Sequence, residues 1–470
     1  MTALPGSTLV EAAAALDAGV LSSEELTREC LARAHRLNGA LNCFLRIEDE
    51  SALAAARRAD AVRAAGRRLG PLHGVPLAVK DMFYDPARET SSGSAIRRGF
   101  RGTTTATALA RLQAAGAVVL GALNMTEFAL GPTGHNPFYG ACRNPWDPER
   151  IAGGSSSGSG AAVAARVAFG ALGSDTGGSI RLPAAVNGIV GLKPTYGRVP
   201  RSGAMPLSWS IDHVGPLART AADVARLLGV LAGRDAADPS SSARAVPDYE
   251  AALAGGVAGL RLGVAERFFF DDVEPDVARV LDEALGALER AGARRVAVAV
   301  PAAEHLTELG RAVVYAEAGA LHGHWLRTRP GDYSPQVRAR IATGVAIPAA
   351  VYAEALQLRA VLLERVCTEV FGSCDVLATP ALAVEVPTLA ATDVGGGASM
   401  WSAIARLLRC LAPFNYLGLP ALSVPAGFTA RGLPVGLQLV GRPFAEARLL
   451  ATAAAFQGLT DWHRRAPPLS

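Results

Sequence analysis

The sequence predicts an α/β protein: one large domain, residues 1–470, with a central mixed, mostly parallel β-sheet covered by helices. Three observations carry this. Thr105 to Ala115 reads as a helix and Ala117 to Gly121 as a buried strand; Leu260 to Ala265, Pro275 to Ala291 and Arg294 to Val300 then read as strand, helix and strand. Half of the 470 residues are apolar, with 50 glycines and 29 prolines, enough for a sizeable core and many tight turns. No shift in composition marks a domain boundary.

In order along the chain, Ser7-Thr8-Leu9-Val10-Glu11 resembles a helix start, with Ser7 placed to cap and Glu11 in the first turn. Leu21 to Leu26 reads as a second helix start, and Ala52 to Arg68 as a third helix, so residues 1–70 are mainly helical. A short apolar strand ending at Lys80 opens the core, residues 71–230. Residues 301–366 form a helical insertion with Tyr, His, Trp and Arg interspersed. Thr392 to Ser399, rich in Gly, Ser and Ala, reads as a mobile surface loop. Ala421 to Pro425 and Gly436 to Gly441 read as the last strands.

The net charge is +4, and the basic pairs are scattered, from Arg57-Arg58 to Arg464-Arg465. No basic tract forms, so neither nucleic acid nor a membrane surface is an expected partner. The apolar stretch Gly160 to Gly173 is broken by Arg166 and too short to span a bilayer. Met1-Thr2-Ala3-Leu4-Pro5 lacks the charged and apolar regions of a signal peptide. Six cysteines include no C-x-x-C pair and read as free thiols. A cytoplasmic protein is expected.

Of 46 basic residues only Lys80 and Lys193 are lysines. Arginine cannot lose its proton in a protein, whereas a buried lysine can and then serves as a base. Lys80 ends the apolar run Gly74-Val75-Pro76-Leu77-Ala78-Val79-Lys80-Asp81, where burial would favour its neutral form.

Serine and glycine concentrate in Gly153-Gly154-Ser155-Ser156-Ser157-Gly158-Ser159-Gly160 and again in Gly173-Ser174-Asp175-Thr176-Gly177-Gly178-Ser179-Ile180-Arg181. A flexible linker would not lead into an apolar helix, here read from Ala161, and then recur one helix later. A phosphate-binding loop is excluded: no Lys follows Gly158 or Gly160, and Lys193 precedes a proline. Gly154 to Gly158 satisfies G-x-S-x-G with Ser156 central, but His213, His305, His322, His324 and His463 lie in no matching context for a Ser-His-Asp hydrolase. His322-Gly323-His324 lacks the carboxylate pattern of a metal site, so no metal is expected. A third reading pairs two serines with the rare lysine: neutral Lys takes a proton from one Ser, which deprotonates a nucleophilic Ser. The N–H groups of Thr176, Gly177 and Gly178 would then form an oxyanion nest.

These segments resemble the amidase signature family. The match runs from the Lys80 segment through Asn124-Met125-Thr126-Glu127-Phe128, Arg143-Asn144-Pro145-Trp146-Asp147 and the signature 153–195 to Pro413–Pro420 and Gly432–Gln438. The resemblance implies the amidase signature fold and a Ser–cis-Ser–Lys triad, with Ser179 as nucleophile, Ser155 as relay, Lys80 as base and a cis Gly154–Ser155 bond. Asp175 and Arg181 match bracing positions. Lys193 has no part in the triad, and Asn187 stands where many relatives have a small residue or Cys.

The implied activity is hydrolysis of a small-molecule carboxylic amide through an acyl-enzyme, with no cofactor and a small-molecule amide as partner; a homodimer is compatible. The Ser155–Ala165 segment favours a stand-alone amidase. The alternative is the glutamine-hydrolysing A subunit of a tRNA-dependent amidotransferase, which needs partner subunits. By resemblance the acyl pocket would include Ala129, Leu130 and Gly131, with Tyr315, His322, Trp325 and Arg338 of the insertion covering the other side of the substrate entrance. Small and apolar residues there suggest an apolar or aromatic acyl group.

Overall fold

The computed structural model describes residues 6–469; the N-terminal 1–5 segment, read above as lacking a signal peptide, lies outside them. Eleven strands form one sheet: β1 (Phe44–Ile47), β2 (Pro76–Lys80), β3 (Val118–Leu123), β4 (Gly170–Asp175), β5 (Val190–Lys193), β6 (His213–Ala218), β7 (Arg261–Ala265), β8 (Arg294–Val298), β9 (Val376–Pro380), β10 (Ala421–Phe428) and β11 (Pro434–Val440). Their spatial order is β1-β3-β2-β4-β6-β5-β10-β11-β9-β7-β8.

The sheet is mixed, as expected. Its parallel pairings lie in two blocks, β3-β2-β4 and β9-β7-β8, which contain the alternating segments legible in the sequence. The other pairings are antiparallel and outnumber them, because β6 reverses after a long connection and β10–β11 is a hairpin. Strands β2 to β6 and β9 are buried along their whole length, as near-continuous apolar strands covered on both faces should be.

Several boundaries differ from the sequence reading. Thr8, not Ser7, caps the first helix (Leu9–Asp17): its Oγ1 accepts the Glu11 N–H at 3.1 Å, and the Glu11 carboxylate accepts the Thr8 N–H at 2.8 Å. Ser22 and Glu25 form the same reciprocal cap on Ser23–Leu41. The buried helix after the serine run spans Ser157–Ala164, so it starts inside that run rather than at Ala161. The insertion resolves into three helices, Ala303–Thr328, Pro335–Val345 and Ala349–Arg365. Among the described residues no single helix is long and apolar enough to cross a membrane.

Candidate active site

The C-terminal ends of β2 and β4 bring the site together. Lys80 is the last residue of β2 and Asp175 the last of β4; the two strands are parallel neighbours, so both chains turn out of the sheet at the same edge. The loop after β4 carries Thr176 to Ile180, and the segment before helix Ser157–Ala164 carries Ser155 beneath it, after a cis Gly154–Ser155 bond.

Lys80 is fully buried, and its Nζ donates to Ser155 Oγ at 2.7 Å and Ser174 Oγ at 2.8 Å. Burial pushes its pKa down to about 7, against the opposing pull of Asp175 and Asp212. The Ser155–Ser179 step of the relay is not among the hydrogen bonds of the described residues. The two segments are stitched by the backbone instead, Ser156 N–H to Ser179 O at 3.3 Å. Catalytic contacts commonly tighten only when substrate arrives.

Asp175 organises the loop that carries Ser179. Its carboxylate accepts the N–H groups of Gly178 at 2.7 Å and Ile180 at 3.0 Å, the Arg181 guanidinium at 3.0 Å and Asn415 Nδ2 at 2.8 Å. Burial alone would raise its pKa, but the Arg181 charge outweighs that and holds the carboxyl well below the usual range. Arg181 continues to Gln438 Oε1, Asn415 Oδ1 and the Leu411 carbonyl, so the brace spans the loop, β11 and helix Ala412–Tyr416.

This geometry corrects one oxyanion assignment. The Gly178 N–H donates to the Asp175 carboxylate, and Gly178 is not among the residues that line the cleft. Thr176, Gly177 and Ser179 line the cleft.

The cleft is partly open to solvent and spans about 770 Å³ of empty space. Ala129, Leu130 and Gly131 form one wall and Val314, Tyr315, Trp401, Ile404 and Leu408 the other. His322, Trp325 and Arg338 do not line it. The first two pack with Phe128 and Tyr333 in an aromatic cluster behind the wall, and Arg338 Nη1 donates to the Pro330 carbonyl. Arg340, two residues from the expected position, reaches the cleft: it donates to Tyr315 Oη at 2.9 Å and the Leu130 carbonyl at 3.1 Å while 4 % exposed. Sequence reasoning does not single out Ser174, Asn415, Gln438 or Arg340. The first three lie inside the motifs above, so their positions are visible in the sequence while their bonds are not.

The competing serine reading finds no support. Ser156 Oγ donates to the Ser174 carbonyl at 3.1 Å and accepts the Ser174 N–H at 3.3 Å, tying it to β4. The other lysine, Lys193, donates to the Pro194 and Leu419 carbonyls, a structural task at the end of β5. Asn187 fills its site by donating to the carbonyls of Ala152 and Pro183.

A family model described as Amidase matches residues 25–450. The chain belongs to the amidase family. It is an enzyme acting on amide bonds. The A subunit of glutamyl-tRNA(Gln) amidotransferase from Chloroflexus aurantiacus is 43% identical over 493 residues, covering 100% of both chains. The protein of that name from Myxococcus xanthus is 42% identical over 485 residues, 98% of this chain and 99% of its own. A solved structure from a vestigial protein complex, described as revealing the origins of an s-triazine catabolic enzyme, is 36% identical with a TM-score of 0.90, covering 96% of this amidase and 98% of that chain.

These relatives overturn the expectation of a stand-alone hydrolase whose only partner is a small molecule. The full-length curated relatives are named as subunits of an amidotransferase, not as stand-alone hydrolases. The composition of Ser155–Ala165 misled for a packing reason. Every residue of helix Ser157–Ala164 is buried; a Cβ on Gly158 would collide with the Cys43 carbonyl, and one on Gly160 would lie 2.6 Å from Asn187 Nδ2. Small residues there answer to neighbouring groups of the same chain, not to the presence or absence of a partner.

Proposed function

We propose that this amidase is the amide-hydrolysing A subunit of a glutamine-dependent amidotransferase, working in the cytoplasm with partner subunits. The observation that carries the reading is the end-to-end identity, 40–43%, with amidotransferase A subunits. Six cysteines without a disulfide suit a reducing compartment.

In this reading Ser179 Oγ attacks the side-chain amide of glutamine while its proton passes to Ser155 and that of Ser155 to neutral Lys80. The oxyanion gathers against the Thr176 and Gly177 N–H groups; each such donor is worth about 2.7–4 kcal/mol in other enzymes. Ammonia leaves with a proton returned through Ser155, and water hydrolyses the acyl-enzyme to glutamate by the same relay. Arg340, the more buried of the two arginines that line the cleft, offers its guanidinium edge to the substrate's carboxylate.

The test is ammonia release from glutamine by the purified chain alone and with its partner subunits. We expect release to rise at least tenfold on assembly and to vanish in Ser179→Ala. Equal release in the two states would reject the subunit reading.

A further inference from the structure

Helix Ala303–Thr328 supplies Gly310, Val314 and Tyr315 to the cleft. Two residues beyond Tyr315, Glu317 is 1 % exposed. Among the described residues no cation lies within ion-pair distance of it. Its carboxylate instead accepts four neutral hydrogen bonds: Ser208 Oγ at 2.6 Å and Ser210 N–H at 3.1 Å on Oε2, Ser210 Oγ at 2.6 Å and Tyr352 Oη at 3.0 Å on Oε1. Three of the four come from the 208–210 turn, whose last carbonyl is also held by Arg359 at 2.6 Å. Burying a carboxylate without a cation is costly unless its lone pairs are used. Here most of them are taken up by one turn, with Tyr352 supplying the remaining hydrogen bond.

That turn is the support of the oxyanion loop. Asp212 Oδ2 accepts the N–H groups of Leu207 at 2.8 Å and Ser208 at 2.9 Å, and its Oδ1 accepts the Thr176 hydroxyl at 2.6 Å. A continuous set of hydrogen bonds therefore runs from the helix that lines the cleft, through 207–212, to Thr176, which also lines the cleft. We propose that Glu317 is a positioning residue for the oxyanion loop, acting through Ser208, Ser210 and Asp212 on Thr176.

The inference rests on the roles given to Ser179 and Thr176 under Proposed function. Its test is a double-mutant cycle in the assembled complex with glutamine as substrate. Glu317→Ala should lower kcat roughly tenfold, short of the loss from deleting a donor outright, with KM within about twofold. In a Thr176→Val background, where the last link is cut, the same change should cost less than about twofold. Glu317→Gln, which still accepts the Ser210 N–H and can donate to Tyr352 Oη, should recover most of kcat.

Fully additive losses, a change in KM alone, or failure of Gln to rescue would each overturn the proposal. If Glu317→Ala does not fold, Ser210→Ala and Tyr352→Phe remove its bonds singly and enter the same cycle. Additive losses in a complex that Ser179→Ala and Lys80→Ala silence would reject this inference alone. Activity surviving in those two variants would reject the triad beneath it as well.

Discussion

The role of base proposed for Lys80 depends on where the side chain sits. Lys80 is enclosed at the end of β2 with two hydroxyl partners and a pKa pushed down to about 7 by burial. Below pH 7 its ammonium cannot accept the proton that Ser155 must give up; above it the amine is free to do so. Activity should therefore climb with pH through about 7 and level off on the alkaline side, read from kcat/KM between about pH 5.5 and 9. Lys80→Arg should be as inactive as Lys80→Ala, since a guanidinium stays protonated throughout, and should melt below the wild type because that charge is buried at a fully enclosed position. A rising limb retained by Lys80→Arg would show that some other group titrates. The identity of this residue is legible in the sequence because chemistry restricts it: one neutral amine, two hydroxyls, fixed motifs. The direction of the Gly178 N–H is not legible there. It depends on a backbone angle at a glycine, which sequence leaves free.

At the level of elements, the cleft depends on how closely two helices of the insertion approach. Helix Pro335–Val345 packs on Ala303–Thr328 through Gly344, where a Cβ would collide with the Tyr315 carbonyl oxygen. Arg340 and Tyr315, joined at 2.9 Å, lie on these two helices. Gly344→Ala should thus push the helices apart, costing about 1–3 kcal/mol as overpacking does. KM should rise several-fold while the pH dependence of kcat stays put, because β2 and β4 are untouched. A melting curve and a Michaelis series check both halves, and an unchanged KM would separate Arg340 from substrate binding. The helical character of this insertion is readable from its sequence. Which face meets the cleft is not: His322, Trp325 and Arg338 fit the helical pattern as well as Arg340 does, and only the crossing of the helices places Arg340 at the wall.

On the scale of the whole molecule, the sheet order explains why residues far beyond the serines matter to them. Lys80, Ser155 and Ser179 all precede residue 200, yet near the centre of the sheet lie β10 and β11, which join β5 on one side to β9 on the other. The C-terminal region also supplies Asn415 and Gln438, which hold Arg181 and through it Asp175. Local alternation in the sequence foresees β2 and β3 of one parallel block and β7 and β8 of the other, but not that a late hairpin closes the gap between the blocks, since Leu422 of that hairpin pairs with Leu192, far earlier in the chain. A chain ending at residue 410 keeps every triad residue and loses that hairpin. It exposes the edges of β5 and β9, both buried along their length, and leaves the Arg181–Asp175 pair with fewer partners. Such a chain should fail to give a cooperative thermal transition and should aggregate, whereas the full chain should melt in a single step across its continuous sheet. Calorimetry and light scattering on the two chains decide it. A truncated protein that melts cooperatively near the full-length temperature would mean that the N-terminal block folds alone, and that the hairpin serves only to fasten the second block to it.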